Sequence, residues 1–341
     1  MSLIIEKDFS LKPFNTFAVE ARARYFAQAH DDQEVREALA AAQRLGLPLR
    51  VLGGGSNLLF TSDVEALVVR LVSRGIRVLS DEGDHVVLEA EAGEPWHPFV
   101  LHSLELGLAG LENLSLIPGT VGAAPIQNVG AYGVEISDVF AGLTALDHTT
   151  GELCEFDAAA CAFGYRDSLF KQKAGRFIIL RVRFALRRAP RLQLEYGPLR
   201  QRLLQAGVEH PTPRDVSDAV CAIRCEKLPD PQVLGNAGSF FKNPLVPQSL
   251  ADELRKCHPN LVAFPQANGQ VKLAAGWLIE QAGWKGFREG DAGVHGLQAL
   301  VLVNHGQASG KQILALARRI QTDINLRFGV VLEIEPNVIE G

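Results

Sequence analysis

The sequence lacks long hydrophobic runs and the marks of an export signal. It contains no stretch of about 18 apolar residues, the length needed to cross a bilayer. Its first eight residues have neither the basic region nor the long apolar segment of a signal peptide. We therefore expect a cytoplasmic protein without a membrane partner.

Cysteine is scarce, and its spacing indicates no special chemistry. Cys221 and Cys225 stand four residues apart on a predicted helix, where buried thiols are favoured over a metal site. The odd, scattered set forms neither a disulfide framework nor a zinc pair of the usual spacing. We predict no bound metal. The five cysteines are Cys154, Cys161, Cys221, Cys225 and Cys257.

The sequence also lacks a block of basic residues. Since the formal net charge is −5, nucleic acid is not expected as a partner, and any anionic ligand must be held by local groups. Hydrophobic residues make up 47% and charged residues 21%, a composition typical of a folded protein. A chain of 341 residues exceeds one ordinary core, so two or three domains with a cleft between them are expected.

Helical and strand patterns alternate along the chain and predict an α+β fold. A helix is predicted to begin after Asp31, which forms a capping-box-like pair with Glu34, and to end at Gly46. Prolines between 190 and 213 indicate a connection or mobile loop, with a domain boundary near Arg214 and a helix after it. Residues 235–244 are predicted to form a loop. Further strands are predicted at 48–52, 66–72, 77–79, 86–90, 143–147, 177–186, 299–303 and 330–332, and further helices at 95–107, 272–282 and 313–324.

Residues 51–57, Val-Leu-Gly-Gly-Gly-Ser-Asn, are the first candidate site. Glycines after an apolar strand expose consecutive backbone N–H groups, a shape suited to phosphate oxygens. The dinucleotide fingerprint combines Gly-x-Gly-x-x-Gly with an acidic residue about 20 positions later, and this run does not show both. A plain strand-to-loop turn is the alternative interpretation.

Residues 117–133 carry small side chains and almost no charge. Surface loops of this length usually carry polar side chains, whereas small residues let the backbone approach a large flat object. We interpret the segment as one that packs against a planar cofactor.

Three polar side chains are candidates for catalysis. Arg166 is either a guanidinium fork that binds a carboxylate and stabilises extra negative charge, or an ordinary surface arginine. Ser239 lies between small residues outside a Gly-x-Ser-x-Gly elbow, and is either a proton donor to a strongly basic carbon or a turn serine. Glu333 is either exposed at a strand end or, if buried near Arg166, positions a carboxylate intermediate. Lys227 and Arg224 are candidate anchors for phosphate or carboxylate, or simply mark a helix end.

Several motifs in order resemble those of the bacterial UDP-N-acetylenolpyruvoylglucosamine reductases, also called UDP-N-acetylmuramate dehydrogenases. The resemblance covers nearly the whole chain. It implies an FAD-binding module of the vanillyl-alcohol-oxidase-like type over residues 1–213, in two subdomains split near residue 70. It also implies an α+β substrate domain over residues 214–341, whose last strand returns to the cleft. The matching motifs lie at 11–17, 53–57, 110–114, 117–132, 164–168, 227–231, 235–244, 271–279 and 332–333.

The resemblance implies FAD as cofactor and NADPH as co-substrate. Many relatives of the wider fold attach flavin through a histidine in or near the glycine loop, where this chain has Ser56, so FAD is expected without a covalent link. Many family members have two serines where this chain has Ala123 and Ala124, so backbone N–H groups are expected to carry more of the phosphate contact. The implied FAD-binding residues are Gly53, Gly54, Gly55, Ser56, Asn57, Pro118, Gly119, Gly122, Ala123, Ala124, Gln127, Asn128, Gly130 and Tyr132.

The resemblance also implies a reaction in peptidoglycan precursor synthesis. NADPH passes hydride to the flavin, and the reduced flavin gives hydride to the methylene carbon of an enolpyruvyl ether. Arg166 and Glu333 match the positions that stabilise the resulting enolate, and Ser239 matches the proton donor to the adjacent carbon. The segment around Tyr196 resembles the substrate-covering loop of the longer subclass. The residues that match substrate-binding positions are Tyr196, Lys227, Asn243 and Tyr165.

Two other functions are open. A flavin oxidase or dehydrogenase of the same fold could act on another sugar or hydroxy acid, but the joint presence of Ser239, Arg166 and Glu333 speaks against it. A nucleotide-sugar-binding protein without chemistry would keep the glycine loop and would not need Ser239. We expect a monomer whose partner is a UDP-sugar substrate.

Overall fold

The structure is a computed structural model that describes residues 3–266 and 269–340. By its internal contacts the chain divides into two compact units. The first unit comprises residues 1–9, 23–55 and 65–226, and the second comprises residues 10–22, 56–64 and 227–341.

Strands and helices alternate over much of the chain, as the sequence predicts. The strands are β1 Ile5–Ser10, β2 Arg22–Ala29, β3 Leu49–Leu52, β4 Leu58–Phe60, β5 Val64–Leu71, β6 Ile76–Glu82, β7 His85–Glu91, β8 Gly130–Ala131, β9 Val134–Glu135, β10 Phe140–Asp147, β11 Leu153–Phe156, β12 Phe177–Arg187, β13 Gly235–Ser239, β14 Leu245–Pro247, β15 Ala263–Pro265, β16 Gln270–Leu273, β17 Arg288–Glu289, β18 Ala292–Val294, β19 Val301–Asn304 and β20 Asn337–Ile339. The helices are α1 Asp32–Leu45, α2 Trp96–Glu105, α3 Ala158–Cys161, α4 Leu169–Gln172, α5 Leu199–Gln205, α6 Pro213–Lys227, α7 Gln248–Cys257, α8 Ala275–Gln281 and α9 Gly310–Phe328.

The first unit contains a four-stranded sheet in the order β1-β2-β5-β3, in which β3 and β5 are parallel. Helix α1 shares a core with this sheet, in which Val35 and Leu67 are both buried. The carboxylate of Asp31 accepts a hydrogen bond from the N–H of Glu34, and the helix ends at Gly46 in the left-handed conformation. The predicted helix and both of its ends are confirmed.

The second sheet of the first unit is antiparallel and has the order β11-β10-β12-β7-β6. Helix α2 contributes Trp96 and Phe99 to its core. These rings lie 5.9 and 5.1 Å from the ring of Phe184 on β12, measured between centroids. The predictions of β10, β12 and α2 are confirmed, with ends shifted by a few residues.

Helices α5 and α6 form a small core of their own in the first unit, against which Tyr132 packs. The sequence predicts α6 but not α5, because the prolines on both sides of α5 indicate a connection. The buried residues of this core are Leu199, Leu203, Val216, Ala219, Val220 and Ile223.

The second unit contains a sheet in the order β13-β19-β18-β17 and a three-stranded sheet in the order β14-β16-β15. Helix α9 contributes Ile313, Ile320 and Ile324 to the core, which confirms its predicted amphipathic spacing. Ser309 and Gln312 form a capping box at its start. Strand β20 pairs in parallel with β4.

Two sequence predictions in the second unit are wrong. The segment 235–244, predicted as a loop, begins with strand β13, which pairs antiparallel with β19. Its glycines and alanine hide the strand, since such residues are uncommon in strand interiors. Residues 330–332 are not a strand either. Val330 and Leu332 are buried and Val331 is exposed, as in an extended chain, but the only bridge recorded near this part of the described chain joins Phe241 and Ile334.

No helix within residues 3–266 and 269–340 is long and apolar enough to cross a membrane. The same residues contain no group of three or more His, Cys, Asp and Glu side chains placed to hold a metal ion.

Candidate active site

The glycine loop packs against the small-residue segment within the first unit. A Cβ atom added to Gly53 would lie 2.8 Å from Oγ1 of Thr120, and one added to Gly54 would lie 2.7 Å from Cα of Gly119. The second distance leaves no room for any side chain, because backbone cannot move aside as a flexible side chain can. The two motifs singled out separately in the sequence therefore form one wall in which backbone lies against backbone.

Ala123 and Ala124 occupy different environments in this wall. Ala124 is buried in the core beneath it, whereas Ala123 is half-buried and lies beside the glycine loop. The N–H of Gly122 donates to the carbonyl of Ala92 at 2.9 Å, and that of Ala123 donates to the carbonyl of Thr120 at 3.1 Å. We expected backbone N–H groups of this segment to carry the phosphate contact. The N–H groups of Gly122 and Ala123 do not meet this expectation, because each already donates a hydrogen bond within the protein.

Arg166 is held by three neighbours in the first unit. Its Nη2 donates to the carbonyl oxygen of Gly130 at 2.6 Å, and its Nη1 lies 3.9 Å from Oε1 of Glu135. The guanidinium carbon lies 5.3 Å from the centroid of the Tyr165 ring. Because the Arg166 side chain is only 20% exposed, the interpretation of it as an ordinary surface arginine is wrong.

Asn128 and Ser168 join two motifs that the sequence presents as separate. Nδ2 of Asn128 donates to Oε2 of Glu135 at 2.7 Å and to the carbonyl of Gly164 at 3.2 Å. Oγ of Ser168 donates to the carbonyl of Ile126 at 2.7 Å. Residues 126–135 and 164–168 therefore form one hydrogen-bonded cluster around Arg166.

Left-handed backbone is concentrated at the predicted site. Seven non-glycine residues of the described chain have positive φ, and three of them are the predicted site residues Asn128, Tyr132 and Arg166, at 44°, 50° and 53°. Such conformations cost about 1–3 kcal/mol each and persist where the surroundings fix them, often at ligand sites. Their concentration here supports a functional role for this cluster.

Tyr196 lies against the same segment. A Cβ atom added to Gly133 would lie 3.2 Å from Cβ of Tyr196, whose side chain is 44% exposed. Burial raises the pKa of the neighbouring Tyr132 above its ordinary value. Gln127 is half-buried in this segment and Pro118 is exposed. Tyr196 is thus near the predicted FAD wall, within the irregular segment 188–198.

Ser239 ends strand β13 in the second unit, opposite Val301. The pairing shifts between Asn236 and Ser239, so the strand contains a bulge that redirects the chain just before the serine. Oδ1 of the buried Asn236 accepts from the N–H of Gly238, and its Nδ2 donates to the carbonyl of Pro229 at 3.1 Å. Ser239 is half-buried at a position that Asn236 fixes, which a simple turn serine would not require.

The C-terminal segment runs beside Ser239 in the second unit. The N–H of Lys242 donates to the carbonyl of Glu333, and the N–H of Glu335 donates to the carbonyl of Phe240, both at 2.9 Å. The side chain of Glu333 is 70% exposed and pairs with Nζ of Lys242 at 2.9 Å. Glu335 is half-buried. The sequence argument requires an acidic side chain that is removed from water. Glu335 meets this requirement and Glu333 does not.

Other predicted residues of the second unit have structural partners or lie at the surface. Oδ1 of Asn243 accepts from the N–H of Ala275 at 2.9 Å and so fixes the start of α8. Lys227 is exposed at the end of α6. The carbonyl of Asn57 accepts from the N–H of Asn337 at 3.0 Å, and Ser56 is half-buried.

The structure thus assembles two groups of predicted residues, one in each unit. Gly53, Gly54, residues 118–132, Tyr165, Arg166 and Tyr196 belong to the first, and Ser56, Asn57, Lys227, Ser239, Asn243 and Glu333 belong to the second. Sequence reasoning missed Glu135, Asn113 and Glu335. Because Val330 and Leu332 are buried in an extended chain, the sequence pattern places Glu333 on the exposed side, but the same period of two gives no signal for the burial of Glu335.

Comparison with known proteins defines the class first. A family model described as an FAD binding domain matches residues 23–157. The chain also resembles the structure of 6-hydroxy-D-nicotine oxidase from Arthrobacter nicotinovorans, with 15% identity, a TM-score of 0.52 and coverage of 91% of this chain and 82% of that one. The protein therefore contains an FAD-binding domain and has the α+β fold of the vanillyl-alcohol-oxidase type, as the sequence predicts.

The particular family follows from the rest of the chain. A model described as UDP-N-acetylenolpyruvoylglucosamine reductase, C-terminal domain, matches residues 230–339. A reductase of that name from Pseudomonas fluorescens is 70% identical over 99% of this chain and 100% of its own. The crystal structure of the Thermus caldophilus reductase covers 99% of this chain and 100% of that one, with 26% identity and a TM-score of 0.67. The chain belongs to the UDP-N-acetylenolpyruvoylglucosamine reductase family, the flavoproteins of peptidoglycan precursor synthesis.

The residues of the first unit fit an FAD. The contact between Gly54 and Gly119 leaves backbone exposed where a side chain would block a ligand. Two buried polar atoms of this unit, Oδ1 of Asn113 and Nε of Arg224, have no hydrogen-bond partner among the described residues. A polar ligand that packs against this wall would satisfy such atoms.

Proposed function

We propose that this protein reduces the enolpyruvyl ether of UDP-N-acetylglucosamine enolpyruvate to UDP-N-acetylmuramate, with NADPH as the source of hydride. The observation that carries the proposal is the half-buried Arg166, fixed by Gly130, Glu135 and Tyr165 in a chain that matches the reductases over its full length. A guanidinium held in this way suits a substrate that has a carboxylate and gains negative charge during the reaction.

FAD, when bound, supplies hydride transfer from NADPH to the substrate. We propose that it is bound without a covalent link. Thr120 and the glycine loop provide the small-residue wall, and Asn128 fixes the turn beside Arg166. The residues proposed to hold FAD are Gly53, Gly54, Gly55, Ser56, Asn57, Pro118, Gly119, Gly122, Ala123, Ala124, Gln127, Asn128, Gly130 and Tyr132.

Three side chains are proposed to act on the substrate. Arg166 binds the carboxylate and stabilises the enolate that forms when hydride reaches the methylene carbon. Ser239 donates a proton to the adjacent carbon, a step open to a weakly acidic hydroxyl because the acceptor is carbanion-like. A carboxyl group of the C-terminal segment assists, and the candidates are Glu333, from the resemblance, and Glu335, from its burial.

Four further residues are proposed to bind the UDP-sugar. Tyr196 covers it, which its exposure and its position against Gly133 support. Lys227 is an exposed cation suited to phosphate, while Asn243 and Tyr165 contribute polar contacts. In functional terms we propose an FAD module over residues 1–213 and a substrate domain over residues 214–341, acting as a cytoplasmic monomer.

The experiment uses the purified protein under anaerobic conditions. We expect retained yellow flavin that NADPH bleaches, and whose colour returns on addition of the enolpyruvyl sugar nucleotide. A protein that binds the nucleotide sugar without flavin would support the binding-protein alternative. Bleaching of the oxidised flavin by another sugar or hydroxy acid, with no return of colour when the enolpyruvyl compound is added to the NADPH-reduced protein, would support the oxidase or dehydrogenase alternative.

A further inference from the structure

Arg224 carries a buried donor atom without a partner. It lies near the end of α6, and its Nε is buried with no hydrogen-bond partner in residues 3–266 and 269–340. Burial lowers the pKa of Arg224, and the groups that oppose this change are Tyr132, Cys221 and Cys225, none of which is a carboxylate. Arg224 as a residue is half-buried, and a guanidinium N–H that is removed from water is unfavourable unless an anion or another acceptor pairs with it.

The face of α6 that carries Arg224 packs against the predicted FAD wall. Oγ of Ser217, about two turns earlier on α6, lies 2.7 Å from Oγ of Ser115, and both residues are buried. The charge of Arg224 also lowers the pKa of His97, after the larger effect of burial. Nδ1 of His97 accepts from the N–H of Leu116 at 2.9 Å. These contacts place Arg224 beside the segment that begins at residue 115.

A second buried atom without a partner belongs to Asn113, which contacts the same segment. Nδ2 of Asn113 donates to the carbonyls of Tyr132 and Gln193 at 2.9 and 2.8 Å, which fixes the orientation of the amide. Its Oδ1 is buried and has no partner within the described chain. Tyr132 thus neighbours both groups: Asn113 through the carbonyl of Tyr132, and Arg224 through its charge effect on the Tyr132 hydroxyl. Two buried atoms without partners near one residue indicate a polar ligand, because isolated buried polar groups are rare in folded proteins.

The helix dipole alone does not explain Arg224. Cations are favoured near the end of a helix, but mainly at the surface. Two other arginines of α5 and α6 have carboxylate partners, since Arg214 pairs with Asp218 and Arg202 with Glu226. Arg224 has no ion pair with a carboxylate within the described residues.

We infer that Arg224 binds an anionic oxygen of a nucleotide held against residues 113–133, with Nε as the donor. The inference rests on the proposed function, which supplies two nucleotides with the same diphosphate chemistry, FAD and the UDP-sugar. A diphosphate oxygen of either one provides the negative charge that residues 3–266 and 269–340 do not place on Arg224.

The test compares Arg224→Gln, Arg224→Lys and the control Arg214→Gln, which removes an exposed arginine from the same helix. FAD is titrated into the apoprotein by flavin fluorescence, and UDP into the FAD-loaded protein by flavin absorbance. We expect Arg224→Gln to weaken the binding of either FAD or UDP by about tenfold or more, and Arg224→Lys to weaken the same binding less. Arg214→Gln should change the affinity for neither ligand. The apoprotein of Arg224→Gln should melt no lower than wild type, because it loses an unpaired buried charge.

Each outcome has a separate meaning. Weaker FAD binding assigns Arg224 to the cofactor, and weaker UDP binding assigns it to the substrate. Unchanged affinity for both overturns the inference, as does an Arg224→Gln apoprotein that melts lower or does not fold, since Arg224 then only supports the fold. Wild-type protein that binds neither FAD nor UDP would overturn the proposed function as well.

Discussion

Nη2 of Arg166 lies 2.6 Å from the carbonyl oxygen of Gly130, and this hydrogen bond joins the 164–168 motif to the small-residue segment. It holds the guanidinium although the backbone of Arg166 is itself left-handed, with φ of 53°. A lysine would retain the charge but not the planar fork, so it cannot bind Gly130 and a carboxylate in the same geometry.

Arg166→Lys should therefore slow the reoxidation of reduced flavin by the enolpyruvyl substrate by about 10²-fold and leave reduction by NADPH nearly unchanged. Stopped-flow absorbance separates the two half-reactions. Arg188→Lys, which alters an exposed arginine paired with Asp81, is the control and should change neither. Equal slowing of both half-reactions by Arg166→Lys would count against a role for Arg166 in the charge of the intermediate.

Ser239→Ala should also leave flavin reduction by NADPH nearly intact. Reoxidation by the enolpyruvyl substrate should slow by about 10²-fold or more, because only this half-reaction needs the proton. Ser239→Cys keeps a proton donor at the end of β13, so its reoxidation rate should fall less than that of Ser239→Ala. If both half-reactions slow equally, Ser239 serves the structure of the bulge and is not the donor.

Glu333→Gln and Glu335→Gln form a matched pair, since the two residues lie two positions apart on one segment. We expect the larger loss in the second half-reaction at Glu335, by about 10²-fold, because it is half-buried beside the Ser239 strand. Glu333→Gln should lose little, since this exposed carboxylate pairs with Lys242. A larger loss at Glu333 would establish the residue that the resemblance implies.

The parts of the fold that the sequence predicts well are those with strong local signals. Helix α1 has a cap, a stop and a helical repeat, and α9 has a long apolar stripe, so both are confirmed. Strand β13 is missed because its glycines and alanine resemble a turn and only pairing with β19 makes them a strand. Helix α5 is missed because nearby prolines outweigh its short pattern.

The site is predictable as a set of motifs, but its contacts are not. Residue types identify Arg166, whereas its hydrogen bond to Gly130 and its ion pair with Glu135 join positions more than 30 residues apart, which no local pattern shows. The burial of Nε of Arg224 and of Oδ1 of Asn113 is likewise a tertiary property. For Glu333 the local pattern was available but was not applied. In an extended chain with Leu332 buried, Glu333 lies on the exposed side.

Gly54→Ala should weaken FAD binding and lower the stability of the protein. The added Cβ would lie 2.7 Å from Cα of Gly119, so the loop and the wall must separate, at a cost of about 1–3 kcal/mol. Flavin fluorescence titration and thermal unfolding measure the two effects. Gly296→Ala is the control, because an added Cβ there meets nothing within 4 Å. Wild-type FAD affinity in Gly54→Ala would show that the wall is not part of the FAD site.

Glu112→Gln should stabilise the protein in a pH-dependent way. Glu112 is 3% exposed, and burial raises the pKa of its carboxyl although its Oε2 accepts from the N–H of Gly110 at 2.6 Å. A carboxyl whose pKa is higher in the folded state is protonated more readily there, so the stability of the wild-type protein falls as pH rises through that folded pKa. Glutamine can accept the same hydrogen bond without a buried charge.

We expect the variant to melt higher than wild type at about pH 7 and the difference to shrink towards about pH 4. Glu253→Gln, at an exposed position on α7, should show no such trend. A difference that stays constant with pH would mean that the charge of Glu112 is not its cause.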